Sequence, residues 1–397
     1  MQKQQKKVPF VHLHNHTEMS FLDGVCKIKN LVAKAKSEGM TALAITDHGN
    51  MYGALKFYNE CREADIKPII GCEIYVTNDT YPADGGEPAE RNRDNYHLIL
   101  LAKNNTGYHN LIKIVSEATE HFYYLPRATK SMLRKYSEGL IVLTACLSGE
   151  LCRAIATGGY DAGKKIVDEY IDIFGRDNLY LEIQKHNIPD EARIYPVVIQ
   201  IAKDMGMKVV ATNDIHYIDR TGAKAQEILF CVQSKKRLTD DDRMKSVTSE
   251  CYFKSTEEMY ALFKNGLHCM SNTVEIADRC NVELTMKQDL APHFPSVPNG
   301  ETESSYLRKL CEDAITKKYP TDGISLDMAR KRMDYELGVI DAMGYSGYFL
   351  VVWDFILWAR QNGIIIGPGR GSGAGSIVCY LTDITQIEPI SLGLLFE

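Results

Sequence analysis

The sequence predicts an α/β protein in two parts: a barrel-like array of seven strand–helix units over residues 1–285, and a shorter segment over residues 286–397. Three observations predict it. Short apolar, β-branched runs alternate with amphipathic helical patterns through the first half, as in a parallel sheet covered by helices. Residues of metal-ligand type recur at the ends of those runs. After about residue 220 the alternation gives way to helical segments.

The elements follow in order. Candidate strands lie at 9–14 (PFVHLH), 42–46 (ALAIT), 68–76 (PIIGCEIYV), 96–102 (YHLILLA), 139–145 (GLIVLTA), 178–184 (NLYLEIQ) and 208–212 (KVVAT). Between them IKNLVAKAKSEG reads as a helix closed by Gly39, and DAGKKIVDEYIDIFG as one closed by Gly175. Seven units without a long break favour a closed barrel related to the TIM barrel over an open sheet, although patterning alone leaves closure open. The stretch 78–94 (NDTYPADGGEPAERNRD) is polar and rich in Gly and Pro, a loop of functional length. MKQDLAPHFPSVPNG (286–300) reads as a linker, which places a domain boundary near 285. Helices are expected near 303–318, 327–343 and 348–361, then a short strand IIIG (364–367) running into PGRGSGAGS.

Composition narrows the function. With 45% hydrophobic and 25% charged residues among 397, the chain is neither disordered, collagenous nor a coiled coil. Its net charge of −6 argues against a general nucleic-acid coat. No run of 18 apolar residues suggests a membrane span, and no apolar stretch follows the basic start as in a secretory signal. Eleven cysteines without a CxxC pair fit a reducing, cytoplasmic location.

The chemistry concentrates at strand ends. In Val11-His12-Leu13-His14-Asn15-His16, strand alternation would put all three histidines on one face. Three neighbouring imidazoles repel once protonated, whereas a metal takes them neutral. Asp47 and His48 follow ALAIT, Cys146 follows GLIVLTA, and Asp214 and His216 follow KVVATN. Glu73 sits in an otherwise apolar strand, where a carboxylate is costly unless paired or metal-bound. Parallel barrels carry their active sites at the C-terminal strand ends, and most of these residues fall there. His97 is the exception, at the start of its run.

The segments HLHNHTEMSFLDG, AITDHGNMYGALKFY, KPIIGCEIYV, YHLILLAKNNTGYHNL and ATNDIHY resemble the PHP (polymerase and histidinol phosphatase) domain, in the form found in the bacterial polymerase III alpha-subunit family. The resemblance spans nearly the whole chain, because DYELGVIDAMGYSGYFLVVWDFILWARQNGIIIGPGRGSGAGS is similar to the start of that family's palm. It implies a PHP-type distorted (β/α)7 barrel over 1–285 and an incomplete α+β, nucleotidyltransferase-like palm segment over 286–397. Periodicity alone does not choose between His12 and His14 as first ligand; the resemblance implies His14. It further implies a metal centre of up to three ions. His14, His16, Glu73 and Asp214 would hold one; Glu73, His97 and Cys146 a second; Asp23, His48 and His216 a third. This mixed N, O and S set suits Zn²⁺ or Mn²⁺, or Fe²⁺, better than Mg²⁺ or Ca²⁺. Since all nine positions hold ligand-competent residues, 3′→5′ exonuclease or other phosphoesterase chemistry is expected.

In the second part the glycines of Gly367–Ser376 let a backbone approach phosphate, and a following helix would aim its N-terminus at the anion. The resemblance implies that Arg370, Gly371 and Ser372 bind the triphosphate of an incoming dNTP. No DxD pair follows Ser376. The polymerase carboxylates that would bind Mg²⁺ are therefore expected to be absent, and the chain to be a fragment that does not polymerise by itself. From Met286 onward, 10 Lys+Arg against 14 Asp+Glu give no basic duplex-binding face. By resemblance the full-length partners would be DNA and dNTP, a proofreading exonuclease subunit at the PHP domain, and sliding clamp and clamp-loader subunits through absent C-terminal regions, with no membrane. Two other readings are a free-standing phosphoesterase, for which the GRGSGAGS segment would be superfluous, and a non-catalytic platform for the exonuclease subunit.

Overall fold

The computed structural model describes residues 9–78, 94–246, 248–285, 292–319 and 325–397. Most of the polar 78–94 loop and the start of the 286–300 linker lie outside these residues. The chain divides into two compact units, Met1–Leu284 and Thr285–Glu397.

Among its described residues the first unit is built on seven strands: β1 (Ala42–Ile45), β2 (Lys67–Thr77), β3 (Tyr96–Ala102), β4 (Arg127–Thr129), β5 (Leu140–Leu143), β6 (Leu179–Ile183) and β7 (Lys208–Ala211). Helices α1 (Ile28–Ser37), α2 (Ala54–Glu63), α3 (Asn105–Glu120), α4 (Lys130–Lys135), α5 (Glu150–Phe174) and α6 (Pro189–Met205) alternate with them. They are followed by α7 (Gly222–Ser234), α8 (Thr256–Phe263) and α9 (His268–Arg279). The strands pair in the order β1-β2-β3-β5-β6-β7, with β4 beside β2.

Period-2 alternation divides the apolar residues into two layers. Leu43, Ile70, Leu98, Val142 and Leu181 pack outward with helix residues such as Leu31, Phe57, Leu111, Val167 and Val198. Ala44, Ile69, Ile99, Leu143 and Val210 point inward and pack with Val11 and Leu13. Strands buried on both faces read as continuous apolar runs, so their positions are visible in the sequence. Helix α9 covers the N-terminal ends of the parallel strands. There Lys67 Nζ donates to Ala277 O (2.7 Å), and Asn272 Nδ2 to Val209 O (2.8 Å).

In this unit four expectations need correction. The run 9–14 is not a ladder strand. It is an extended segment bonded on one side to β1, through Ala44 N to His12 O (3.1 Å) and Thr46 N to Asn15 O (3.0 Å). On the other side Ile215 N donates to His14 O (3.1 Å) and His16 N to Ile215 O (2.7 Å), which joins β1 to the chain beyond β7. The sheet is also not all-parallel, since β3 runs antiparallel to both β2 and β5. An antiparallel neighbour needs no crossover helix. Strand β4 was not foreseen; it has three residues, too few to show a period. Finally, the DAGKKIVDEYIDIFG helix begins earlier, at Glu150, and breaks at Gly159 (φ 71°, ψ −155°).

The second unit comprises α10 (Glu303–Lys318), α11 (Leu326–Ala342), α12 (Ser346–Gln361) and α13 (Ile377–Leu381) around Leu307, Cys311, Met333, Leu337, Leu350 and Ile377. The expected strand at 364–367 does not form. Ile365 is 97% exposed, and among the described residues of this unit there is no strand for it to pair with. Among the described residues no single helix is long and apolar enough to cross a membrane.

Gly107 opens α3 against the turn before β5, where a Cβ would lie 1.8 Å from Gly139 O. Backbone cannot yield as a side chain end can. Gly107→Ala should therefore destabilise the first unit by about 2–3 kcal/mol, read as a lowered thermal midpoint.

Candidate metal centre

The mouth formed by the C-terminal ends of the parallel strands collects the polar residues. His48 follows β1, Glu73 lies within β2, Cys146 follows β5, and Asp214 and His216 follow β7. His14 and His16 come from the segment joining β1 to the chain beyond β7. His97 reaches the same mouth because β3 is antiparallel: its first residues lie level with the end of β2, with His97 opposite Tyr75. A residue at the start of an antiparallel strand and one at the end of a parallel strand share one rim.

Proton accounting shows what the innermost atoms lack. His14 Nδ1 lies 2.7 Å from Glu182 Oε1, so Nδ1–H donates to that carboxylate and Nε2 faces inward. Ser20 Oγ donates to Asp47 Oδ1 (2.6 Å), which leaves its oxygen to accept from His16 Nδ1–H (3.0 Å) and turns His16 Nε2 inward as well. The two Nε2 atoms are 3.2 Å apart. His14 Nε2 is 3.3 Å from Glu73 Oε1 and 3.1 Å from Asp214 Oδ1; His16 Nε2 is 3.4 Å from Glu73 Oε2 and 3.2 Å from Asp214 Oδ1. Ligands about 2.0–2.1 Å from a tetrahedral ion stand about 3.3 Å from one another. Donor atoms at that spacing are balanced either by protons on the rings or by a cation between them.

Glu73 extends the cluster. Its Oε1 lies 2.9 Å from His97 Nδ1, and Cys146 Sγ is 3.7 Å from the same nitrogen. A sulfur and a nitrogen on one tetrahedral ion stand about 3.6 Å apart. His48 faces two carboxylates, with Nδ1 2.7 Å from Glu73 Oε2 and Nε2 3.1 Å from Asp23 Oδ2. His216 Nε2 lies 3.5 Å from Asp23 Oδ1. Donor atoms converge most tightly in three triads: His14/His16/Glu73, His48/Glu73/His97 and His16/His48/His216. His48 thus stands between the second and third implied groups. Buried Glu73 Oε2, Asp214 Oδ1 and His48 Nδ1 make no directed hydrogen bond.

Without a cation, protons carry the missing charge. Burial disfavours a charged His14, but Asp214, Glu182 and Glu73 outweigh it and hold its pKa well above the usual histidine value. His48, where burial is outweighed by Glu73 and Asp23, rises to about 9. Burial, then His48 and His216, push His16 down to about 3. Burial, reinforced by Asp214 and Glu73, holds the Cys146 thiol well above its usual range, so a thiolate there needs a metal beside it. Asp214 has φ +47°, unusual for a residue other than glycine and a form of strain found at functional sites.

His12 does not join the cluster. A bend at His14 breaks the alternation. The His12 ring lies between Phe10 and Phe253 (centroids 4.7 and 4.6 Å), its Nε2 meets Lys254 O (2.8 Å), and burial lowers its pKa to about 4. Sequence reasoning missed Glu182, which also accepts from Thr212 Oγ1 and from Gln184 Nε2 (3.1 Å). Its signal was the same as that of Glu73, a carboxylate inside an apolar strand, LYLEI. Ser20 and Gln226 were also missed; Gln226 Nε2 donates to Asp23 Oδ1 (2.8 Å).

In the second unit Arg370, Gly371 and Ser372 are exposed, with the Arg370 guanidinium 6.0 Å from the Phe355 ring. The following helix is not free to meet an anion. It has five residues, Ser376 Oγ caps it at Cys379 N (3.2 Å), and buried Glu336 Oε2 accepts from Ser376 Oγ (2.7 Å) and Val378 N (3.3 Å).

Residues 12–186 match the PHP domain model, and residues 305–397 match the bacterial DNA polymerase III alpha NTPase domain model. The chain is 42% identical over 394 residues to the DNA polymerase III subunit alpha of Treponema pallidum, covering 98% of this chain and 33% of that protein. Nearly the whole chain is thus similar to part of a bacterial DNA polymerase III alpha subunit. The Borreliella burgdorferi subunit alpha is 41% identical over 390 residues, covering 98% of this chain and 34% of that protein. That of Helicobacter pylori strain 26695 is 41% identical over 415 residues, with the same two coverages. The chain thus spans about a third of the length of these curated relatives of the polymerase III alpha family.

Two outcomes are expected for the PHP domain. A chelator should lower the thermal midpoint, since an ion held at 100 times its Kd stabilises the folded state by about 2.7 kcal/mol; calorimetry with and without chelator checks it. Glu182→Gln should weaken metal affinity by about 10–100-fold by loosening the orientation of His14, measured by competition with a metal indicator.

Proposed function

We propose that this chain is part of a replicative DNA polymerase alpha subunit, and that its PHP domain is a metal-dependent phosphodiester hydrolase acting on the 3′ end of single-stranded DNA. The observation that carries the reading is the inward convergence of His14 Nε2, His16 Nε2, Glu73 and Asp214 Oδ1 at 3.1–3.4 Å. The nine residues His14, His16, Asp23, His48, Glu73, His97, Cys146, Asp214 and His216 would hold up to three ions. Their mixed donors favour Zn²⁺ or Mn²⁺. Such ions supply Lewis acidity toward phosphate oxygens and a hydrolytic nucleophile at neutral pH.

The protein's own part is positioning. Glu182 and Ser20 fix the histidine tautomers, and Glu73 presents one oxygen to His97 and the other to His48. Asp23 ties His48 to His216. Within a whole subunit, Arg370, Gly371 and Ser372 would meet the triphosphate of a dNTP in a Mg²⁺-dependent polymerase reaction on DNA in the cytoplasm.

The test is degradation of a 5′-labelled single strand with Mn²⁺ or Zn²⁺. The chain should shorten it from the 3′ end, and the double variant His14→Ala/Asp214→Ala should lose that activity together with bound metal. Hydrolysis persisting in the metal-free double variant would place the activity elsewhere.

A further inference from the structure

A cavity of about 760 Å³ opens beside His97, lined by Tyr96, Ser148, Arg153, Thr157 and Lys165 among others. It continues the metal mouth, because His97 Nδ1 is 2.9 Å from Glu73 Oε1. Both limbs of α5 line it, Arg153 and Thr157 before the break at Gly159 and Lys165 after it.

Its charge is specific. Buried Glu150 is committed to Lys130 Nζ (2.7 Å) and the Tyr170 hydroxyl (2.7 Å). Arg153 and Lys165 are exposed and form no ion pair among the described residues. The acid on the rim, Asp94, hydrogen-bonds the hydroxyl of Tyr96. Two uncommitted cations, a half-buried aromatic ring and the amide of Asn95 thus share one cavity next to the cluster.

We propose that this cavity is the subsite for the terminal nucleotide of a single DNA strand, with Arg153 and Lys165 on phosphate oxygens and the Tyr96 ring against the base. The proposal rests on the hydrolytic reading above and names its substrate contact. Cations without carboxylate partners make charge-assisted bonds to phosphate, and an aromatic face takes any base. The volume falls within the range of ligand pockets and would leave an inorganic phosphate mostly surrounded by water.

Calorimetric titration of the full chain with dTMP, thymidine and inorganic phosphate, in the presence of Mn²⁺, tests it. dTMP should bind at least about tenfold more tightly than either of the others. Arg153→Ala/Lys165→Ala should reduce dTMP affinity by about tenfold or more, as the loss of two charge-assisted contacts implies. Metal content and thermal midpoint should stay unchanged, because both side chains are exposed. Equal binding of inorganic phosphate and dTMP, or unchanged dTMP binding in the double variant, would overturn the subsite. A chain that binds dTMP through these two residues yet hydrolyses no DNA would refute the hydrolytic reading alone. One that hydrolyses DNA while the double variant binds dTMP normally would refute the subsite alone.

Discussion

Four carboxylates, those of Asp23, Glu73, Glu182 and Asp214, crowd one mouth of the sheet, and none pairs with a lysine or arginine among the described residues. Buried negative charge must be compensated, because isolated ions in a low-dielectric interior are prohibitively costly. Here the available partners are imidazoles. Protons on His14, His48 and His216 can balance the charge, and so can cations. The arrangement of the mouth follows from that constraint: His14, His16, His48 and His216 are each oriented by a second acceptor, and Glu73, wholly buried, is shared by both flanks of the cluster.

The scaffold serves the same end. Three parts of the chain distant in sequence must meet within a few ångströms, and the inward layer of Ala44, Ile69, Ile99, Leu143 and Val210 holds their strands in register. The reversed strand β3 brings His97 to the rim. The extended segment 12–16 adds two ligand candidates at the seam between β1 and the chain beyond β7. The bend that removes His12 from the cluster lets it fill the apolar layer against Phe253 instead.

Much of this is legible in the sequence, for a physical reason. Six of the seven expected strand positions coincide with strands, because residues buried on both faces must be apolar. Strand direction is not legible, since alternation reads the same either way, and so His97 looked misplaced. The run 9–14 is as apolar as a strand but lacks continuous ladder partners, a property of its neighbours rather than of its residues. Glu73 stood out as a carboxylate among apolar residues. Glu182 carried the same mark, but its pairing with His14 spans 168 residues and shows only in three dimensions. Likewise the GRGSGAGS stretch is visible as a phosphate-approach loop, whereas the anchoring of the next helix on Glu336 is not.

The hydrolytic reading rests on a cation held between the inward-facing Nε2 atoms of His14 and His16, with Glu73 and Asp214. Anomalous diffraction at the zinc absorption edge, from crystals of the full chain grown with Zn²⁺, tests it most directly. The account predicts an anomalous peak about 2.0–2.1 Å from both Nε2 atoms and from an Asp214 oxygen. A zinc-containing crystal with its peaks elsewhere, and with no density between His14 and His16 beyond ordinary hydrogen bonding, would contradict it.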